Sequence, residues 1–176
     1  MAEAAAAAGH DVTLLLGPVL APASLGERVE VARFQSTADL EVLLAERFAG
    51  CDLLIMAAAV ADYRVRQYTP GKTKRQDRLK IELEGTPDLV AAVAASKQPD
   101  QRVVAFALEE PHEMESRALD KMKRKGVDAI VANPLSTLDG EKVAAVLLAA
   151  DGQRDQPGPM TKADFARWLI DKLTVQ

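Results

Sequence analysis

Histidine and cysteine are nearly missing from this sequence of 176 residues: two histidines, His10 and His112, and one cysteine, Cys51. The histidines belong to no ligand-spaced cluster, so a metal site of the Cys/His kind has no support. A lone cysteine forms no intramolecular disulfide, which fits a reducing compartment. Cys51 also lacks a histidine or acid pattern that would make it a nucleophile, and it reads as a small core filler. Ser24, Ser36, Ser96, Ser116 and Ser136 stand in no nucleophile-elbow context, which argues against covalent acyl chemistry through serine. There is no Gly-x-Gly-x-x-Gly and no Walker loop, so a bound NAD(P) or flavin is not expected. No apolar run reaches the length of a membrane span. Residues 1–8 are apolar apart from one acid but carry no basic n-region, which argues against a signal peptide. A cytoplasmic protein with no membrane partner is expected. The formal charge of −4 also argues against a general nucleic-acid binder.

What is present is ordinary for a globular α/β domain: 48% of residues are apolar and 27% charged. The length predicts a single domain over residues 1–176. Residues 1–8 form a short helix that stops at Gly9, so the chain reads as opening within a helix rather than on a strand. Val12 to Leu16 and Val29 to Phe34 read as strands, separated by a Pro/Ala/Ser-rich loop. Ser36 or Thr37 caps a helix from Ala38 to Phe48. Leu79 to Glu84 alternates with period two, the mark of a strand solvated on one face. Thr86-Pro87-Asp88 puts a cap and an N1 proline before a helix from Leu89 to Ala95. Arg102 to Ala107 is a buried strand, Glu113 to Lys125 a helix ending at Gly126, and Asp128 to Ala132 another strand. Lys142 to Leu148 reads as a last strand. Thr161 caps a final helix in which Trp168 is a docking residue.

The remaining stretch, residues 51–75, organises the site. Leu53 to Ala59 is apolar on both faces and predicts a central parallel strand buried between helices. It leads past Asp62 and Tyr63 into a basic loop. From residue 64 to residue 80 there are seven cations (Arg64, Arg66, Lys72, Lys74, Arg75, Arg78, Lys80) against the single acid Asp77. Ligands of open α/β sheets bind beyond the carboxyl ends of the strands, so this field predicts an anionic ligand. Asp62, Tyr63, Lys72, Lys74, Arg75, Glu109 and Asn133 form a convergent set at strand ends. The cations suit phosphoryl oxygens, Asp62 or Glu109 suits Mg2+, and Asn133 can read a base or sugar. Composition and periodicity reach only an anion-binding α/β domain.

Particular words of the sequence go further. AAAVADYRV, then KTKR, a Pro-Asp pair opening a helix, AFALEE and DAIVAN together resemble the phosphopantothenate–cysteine ligase family. The resemblance covers most of residues 1–150. It implies a Rossmann-like three-layer sandwich with a mostly parallel sheet. It also implies CTP as co-substrate with Mg2+, 4′-phosphopantothenate and cysteine as substrates, and an acyl-cytidylate intermediate. Lys72, Lys74 and Arg75 fall on the family's mobile catalytic loop. Ala59, Asp62 and Tyr63 line the same cleft, Phe106, Ala107 and Glu109 match a strand end, and Asn133 matches the pair near cytosine and ribose. An FMN-dependent decarboxylase is the family's usual companion.

Departures from the family stand beside the match. Its first strand and Gly-Gly-Thr loop, and the Asn-x-Ser-Ser-Gly segment after them, have no counterpart here. The stretch from Leu135 to Lys142 lacks the phenylalanine and asparagines used for cytidine. Arg75, Ala105 and Glu110 replace a lysine, a glycine and a threonine. Three readings follow: a ligase or part of one, a nucleotide-binding module without turnover, and an interaction module whose exposed sheet edge is covered by another chain. A homodimer or partner subunit is expected in each.

Overall fold

The computed structural model describes residues 1–18, 25–67, 71–72, 74–137 and 140–174. Helix α1 (Ala2–Ala7) leads into β1 (Val12–Leu16), which pairs in parallel with β2 (Val29–Arg33). Helix α2 (Thr37–Arg47) follows. It opens on a capping box, in which Asp39 N–H donates to the Ser36 hydroxyl and Ser36 N–H donates to the Asp39 carboxylate. Strand β3 (Leu53–Met56) then enters the main sheet. A hairpin of β4 (Tyr63–Val65) and β5 (Leu83–Gly85) stands outside it.

Helix α3 (Leu89–Ser96), strand β6 (Arg102–Glu109), helix α4 (Met114–Lys125) and strand β7 (Ala129–Pro134) form the central alternating units. The chain ends with β8 (Lys142–Val143), β9 (Val146–Ala149), β10 (Arg154–Asp155), β11 (Met160–Thr161) and α5 (Lys162–Thr174). The main sheet has the order β10-β9-β7-β6-β3, parallel from β3 to β7 and antiparallel at β9 and β10.

Alternation along β6 divides the core into two layers. Val103, Ala105 and Ala107 face α2, α3 and α4, where Leu40, Leu44, Leu89, Val93, Ala118 and Met122 are buried. Val104 faces the other way, with Phe165, Leu169 and Leu173 of α5, and the half-buried Phe106 packs on that second cluster. The result is the three-layer Rossmann-like sandwich that the sequence predicts. Trp168 packs on Phe165 with ring centroids 5.5 Å apart, inside the α5 layer as expected.

Several sequence expectations are corrected. The organising strand ends at Met56 instead of running to Ala59: its pairing with β6 stops at Met56 opposite Ala105, and Ala57, Ala58 and Ala59 are exposed. It is not central either: β3 is the edge of the five-stranded sheet, and Leu53, Leu54 and Ile55 are only half-buried. The pair β1–β2 is a separate sheet. It is held against the β3 side on both faces, since α1 touches α5 while Leu15 and Phe34 pack on the cluster containing Met56. In the Leu79 to Glu84 stretch only Leu83 and Glu84 belong to a strand, and its apolar side is the exposed one: Leu83 is exposed while Glu84 is partly covered. The cap of α3 is Asp88, whose carboxylate accepts from Ala91 N–H, so Pro87 precedes the cap instead of opening the helix. The stretch from Lys142 to Leu148 is broken into β8 and β9, which pair with different partners. The loop after Gly17 and the segment after Thr137 fall partly outside the described residues.

Cys51 is half-buried, its thiol donating to the Leu53 carbonyl at 3.0 Å, and burial pushes the thiol pKa up. A thiol so placed is unreactive packing. Nearby, the buried Gln101 ties the amino ends of β3 and β6 together. Its amide nitrogen donates to the carbonyls of Phe48 and Cys51, each at 2.7 Å, and its oxygen accepts from Gln98 N–H. Gln101→Leu leaves those carbonyls without donors and is expected to lower unfolding stability by roughly 2 kcal/mol. Urea denaturation checks it, and an unchanged midpoint would show that the amide carries no net stabilisation.

Candidate functional site

Strand ends, helix starts and the hairpin root meet at the carboxyl edge of the main sheet. Among the described residues three buried side-chain atoms have no hydrogen-bond partner: Thr86 Oγ1, Glu109 Oε1 and Asn133 Oδ1. All three sit at that edge. Thr86 lies two residues ahead of the α3 cap, Glu109 is the last residue of β6, and Asn133 is the penultimate residue of β7. Buried polar atoms are rarely left unpaired, and where they cluster a missing partner is the usual explanation.

Glu109 and Asn133 do not converge as the sequence predicts. In the β6–β7 register Leu108 is opposite Asn133 and Glu109 opposite Pro134. Side chains alternate across a strand, so Glu109 follows Val103, Ala105 and Ala107 onto the α3/α4 face. Asn133 follows Ala129 and Val131 onto the α5 face, beside Phe106. The edge therefore offers two polar corners, one on each side of the sheet.

The first corner is built by α4. Glu109 is only 6% exposed, and the Lys121 ammonium lies against its Oε1 as an ion pair without hydrogen-bond geometry. One turn further along α4, Lys125 bonds both carboxylate oxygens of Asp88, at 2.7 and 2.6 Å. These two lysines draw the start of α3 and the end of β6 to one helix face, and that places Thr86 in the same corner. Thr86 N–H also donates to the Asp62 carbonyl at 2.9 Å, which fixes the root of the hairpin there. Lys121 and Lys125 thus act as structural cations that tie α4 to β6 and α3. Sequence reasoning missed Thr86 as a site residue, because a threonine ahead of Pro-Asp reads as a helix cap and only the fold shows that its hydroxyl is idle.

The hairpin carries the cationic segment away from the sheet. Arg64 pairs with Glu84 at 2.8 Å, and Arg66 and Lys80 approach Glu82 at 3.8 and 3.5 Å. These contacts engage three of the seven cations with the two carboxylates of the arm. Lys72, Lys74 and Arg75 are exposed and make no ion pair among the described residues. Ala59, Asp62 and Tyr63 are exposed, with Tyr63 on β4, while Phe106 is half-buried and Ala107 buried within β6. Asp62 joins no ion pair among the described residues. No group of three or more His, Cys, Asp or Glu placed to hold a metal occurs among the described residues.

Two clefts lie elsewhere. One of about 440 Å³ runs between α2 and α3, lined by Leu44, Phe48, Leu89 and Val93, and the other, of about 350 Å³, lies at the amino edge beside Asp128 and Lys172. Neither contains a residue of the carboxyl edge. Their volume is a weaker guide than the three unpaired atoms, because the first cleft is lined mainly by apolar side chains and its charged residue, Glu41, would repel an anion.

Comparison with known proteins bears on this edge. Residues 1–175 match the family model described as DNA/pantothenate metabolism flavoprotein C-terminal domain. A cysteine/cysteine sulfinic acid decarboxylase from an unknown prokaryotic organism is 41% identical over 137 residues, covering 77% of this chain and 37% of that protein. The coenzyme A biosynthesis bifunctional protein CoaBC of Escherichia coli K12 is 36% identical over 186 residues, covering 100% of this chain and 44% of that protein. The crystal structure of the C-terminal domain of a coenzyme A biosynthesis bifunctional protein CoaBC superposes with a TM-score of 0.81 at 26% identity, covering 98% of this chain and 77% of that chain. The chain thus spans about two fifths of the length of the curated relatives it matches.

Two outcomes test the α4 corner. Lys121→Met leaves the buried Glu109 carboxylate without its counter-charge and is expected to lose about 3 kcal/mol. The double variant Lys121→Met/Glu109→Gln should recover most of that loss, and a double variant as unstable as the single one would show that packing, not charge, is at stake. For Asp88, partial burial pushes the carboxyl pKa up, but the Lys125 ammonium and the Ala91 amide outweigh it and hold the group below its ordinary value. A depressed folded pKa means that the contribution to stability is complete above the ordinary carboxylate value and is lost as pH falls through the depressed one. Asp88→Asn should therefore melt below wild type near neutrality and converge with it in strong acid, as thermal melts across pH would register.

Proposed function

The chain belongs to the DNA/pantothenate metabolism flavoprotein C-terminal domain family, and on that premise we propose that it is the ligase portion of coenzyme A biosynthesis, joining 4′-phosphopantothenate to cysteine with CTP. The observation that carries this reading is the set of exposed cations Lys72, Lys74 and Arg75, without an ion pair among the described residues, on an arm rooted at the carboxyl edge. In the first step the pantothenate carboxylate attacks the α-phosphorus of CTP, and pyrophosphate leaves with the electron pair of the broken P–O bond. In the second the cysteine amine attacks the acyl carbon, loses a proton and expels CMP. Both steps build negative charge on oxygens, which preorganised ammonium and guanidinium groups stabilise.

In this reading Lys72 and Lys74 are catalytic. Arg75, Ala59, Asp62, Tyr63, Phe106, Ala107, Glu109 and Asn133 bind the nucleotide and the acyl group, with Asn133 and Phe106 on the α5 face and Glu109 on the α4 face. Mg2+ bound to a nucleotide keeps most of its waters and needs only one or two carboxylates besides the phosphates. Asp62 fits that demand, being exposed at the hairpin root, whereas Glu109 is engaged by Lys121. Asp62 would hold the ion, whose chemistry is to neutralise phosphate charge. The partners in this reading are the two small substrates, a second copy of the chain and an FMN-dependent decarboxylase in the cytoplasm.

The break in the sheet favours a second reading, in which residues 1–176 alone bind nucleotide without turnover. β1 and β3 are edges of separate sheets although both helical layers hold β1–β2 against the β3 side. Helix α1 lies on the α5 face. A right-handed crossover through it into β1 would start from a strand on the β3 side of β1. A strand from a longer polypeptide or a partner would complete the sheet there, and activity would depend on it.

A turnover assay with CTP, 4′-phosphopantothenate and cysteine, on this chain and on an N-terminally extended form, separates the two. CMP formation by either form supports the ligase, activity confined to the extended form assigns the missing strand, and silence in both removes the ligase reading. In the active form Lys72→Ala and Lys74→Ala should lower kcat by two orders of magnitude or more with unchanged melting temperature. An unchanged rate in both would end their catalytic role.

A further inference from the structure

The cleft between α2 and α3 is a hollow that the carboxyl edge does not use. Strands β3 and β6 are parallel and each follows one of these helices, so α2 and α3 run side by side in one direction. Glu41 therefore lies at the end marked by Leu89. Ser96 and Gln101 lie at the other, where Gln101 bonds the Phe48 carbonyl. From Glu41 to Ala49 the long axis is about 12 Å, and the volume of about 440 Å³ is that of a small-molecule site. Its floor is Leu44, Phe48, Leu89 and Val93, all core side chains already fixed by packing. Its rims are Ala45, Ala49 and Ala92, exposed methyl groups too short to close it. A surface helix ordinarily turns charged or polar residues to water, yet α3 reads LVAAVAAS, has no charged residue, and exposes Ala92 and Ala95.

We propose that this cleft is a second ligand site that takes a small organic amine, with an apolar aromatic body between the helices and the ammonium against Glu41. Charge and hydrogen-bonding capacity select that class. No lysine, arginine or histidine lines the cleft, and Glu41 joins no ion pair among the described residues. The far end is also rich in acceptors. The Ser96 hydroxyl spends its proton on the Val93 carbonyl at 2.9 Å and keeps its lone pairs. The Gln101 amide nitrogen is spent on the carbonyls of Phe48 and Cys51. Among the lining side chains only the exposed Gln98 amide keeps a donor. An anion finds no counter-charge in such a cleft, whereas an ammonium finds a carboxylate and an aromatic ring finds a dry floor. CTP and 4′-phosphopantothenate are anions that Glu41 repels. The inference therefore stands apart from the ligase reading, and its failure leaves that reading intact.

Backbone amide shifts of the whole chain, followed by NMR during titration with tryptamine, test it. Saturable shifts at Ala45, Ala49, Ala92 and Ser96 are expected, with a Kd of about 1 mM or tighter. Indole-3-propionate keeps the ring but carries a carboxylate, and it should bind at least about tenfold more weakly. Glu41→Gln should weaken tryptamine about fivefold. Ala45→Leu/Ala92→Leu fills the cleft and should abolish the shifts at Ala49 and Ser96 without lowering the melting temperature. No saturable shift up to about 10 mM tryptamine would overturn the proposal and leave this face to a protein partner. Equal binding of the amine and the acid, or an unchanged affinity in Glu41→Gln, would overturn the selection of an amine. Undiminished binding by the folded double variant would overturn the site itself.

Discussion

β6 is bonded to β3 on one side and to β7 on the other, and the register of those two ladders governs the carboxyl edge. A slip of one residue would exchange the faces of every side chain on the strand, sending Glu109 away from Lys121. The register is pinned at the amino end by Asp128. Its carboxylate accepts from Val103 N–H at 2.7 Å, its N–H donates to the Val103 carbonyl at 2.9 Å, and Lys97 closes against it. Val103, Val104, Ile130 and Val131 are wholly buried around this anchor, so slippage would also expose the core.

With the register set, the carboxyl edge becomes a place of incomplete hydrogen bonding by construction. Strands end there, α3 begins there, and the helices that cover the faces cannot cover the edge. The α4 lysines compensate on one face, since Lys121 and Lys125 each meet an acid from a different element. On the α5 face no equivalent contact reaches Asn133 Oδ1. The asymmetry leaves one corner ion-paired and the other with an unpaired neutral amide oxygen.

The arm separates two tasks that overlap in the sequence. Its inner cations are paired along the ladder, while Lys72, Lys74 and Arg75 lie beyond the pairing acids. A charge run is commonly no more than a solvated face, and here part of it is. Only the cations beyond Glu82 and Glu84 in the ladder keep a field that a phosphate would feel. The apolar face of the same arm, with Tyr63, Val65, Leu79, Ile81 and Leu83, stays exposed.

Much of this was legible in the residues. Local rules sufficed for α2, α4 and α5, because the Ser36 capping box, Gly126 in the left-handed conformation (φ 66°) and the Thr161 cap act within a few residues. The buried strands β6 and β7 followed from their continuous apolar runs, and the family from AAAVADYRV, KTKR, AFALEE and DAIVAN in order. Tertiary structure alone decided whether a run is central or at an edge, since Leu53 to Met56 is as apolar as β6 but lacks a neighbour on one side. It also decided which face Glu109 and Asn133 take, because facing depends on register and register on pairing across tens of residues. Thr86, Lys121 and the bare side of the arm became visible only there, because an unpaired hydroxyl, an ion pair and an uncovered face are relations between elements that no local stretch of sequence contains.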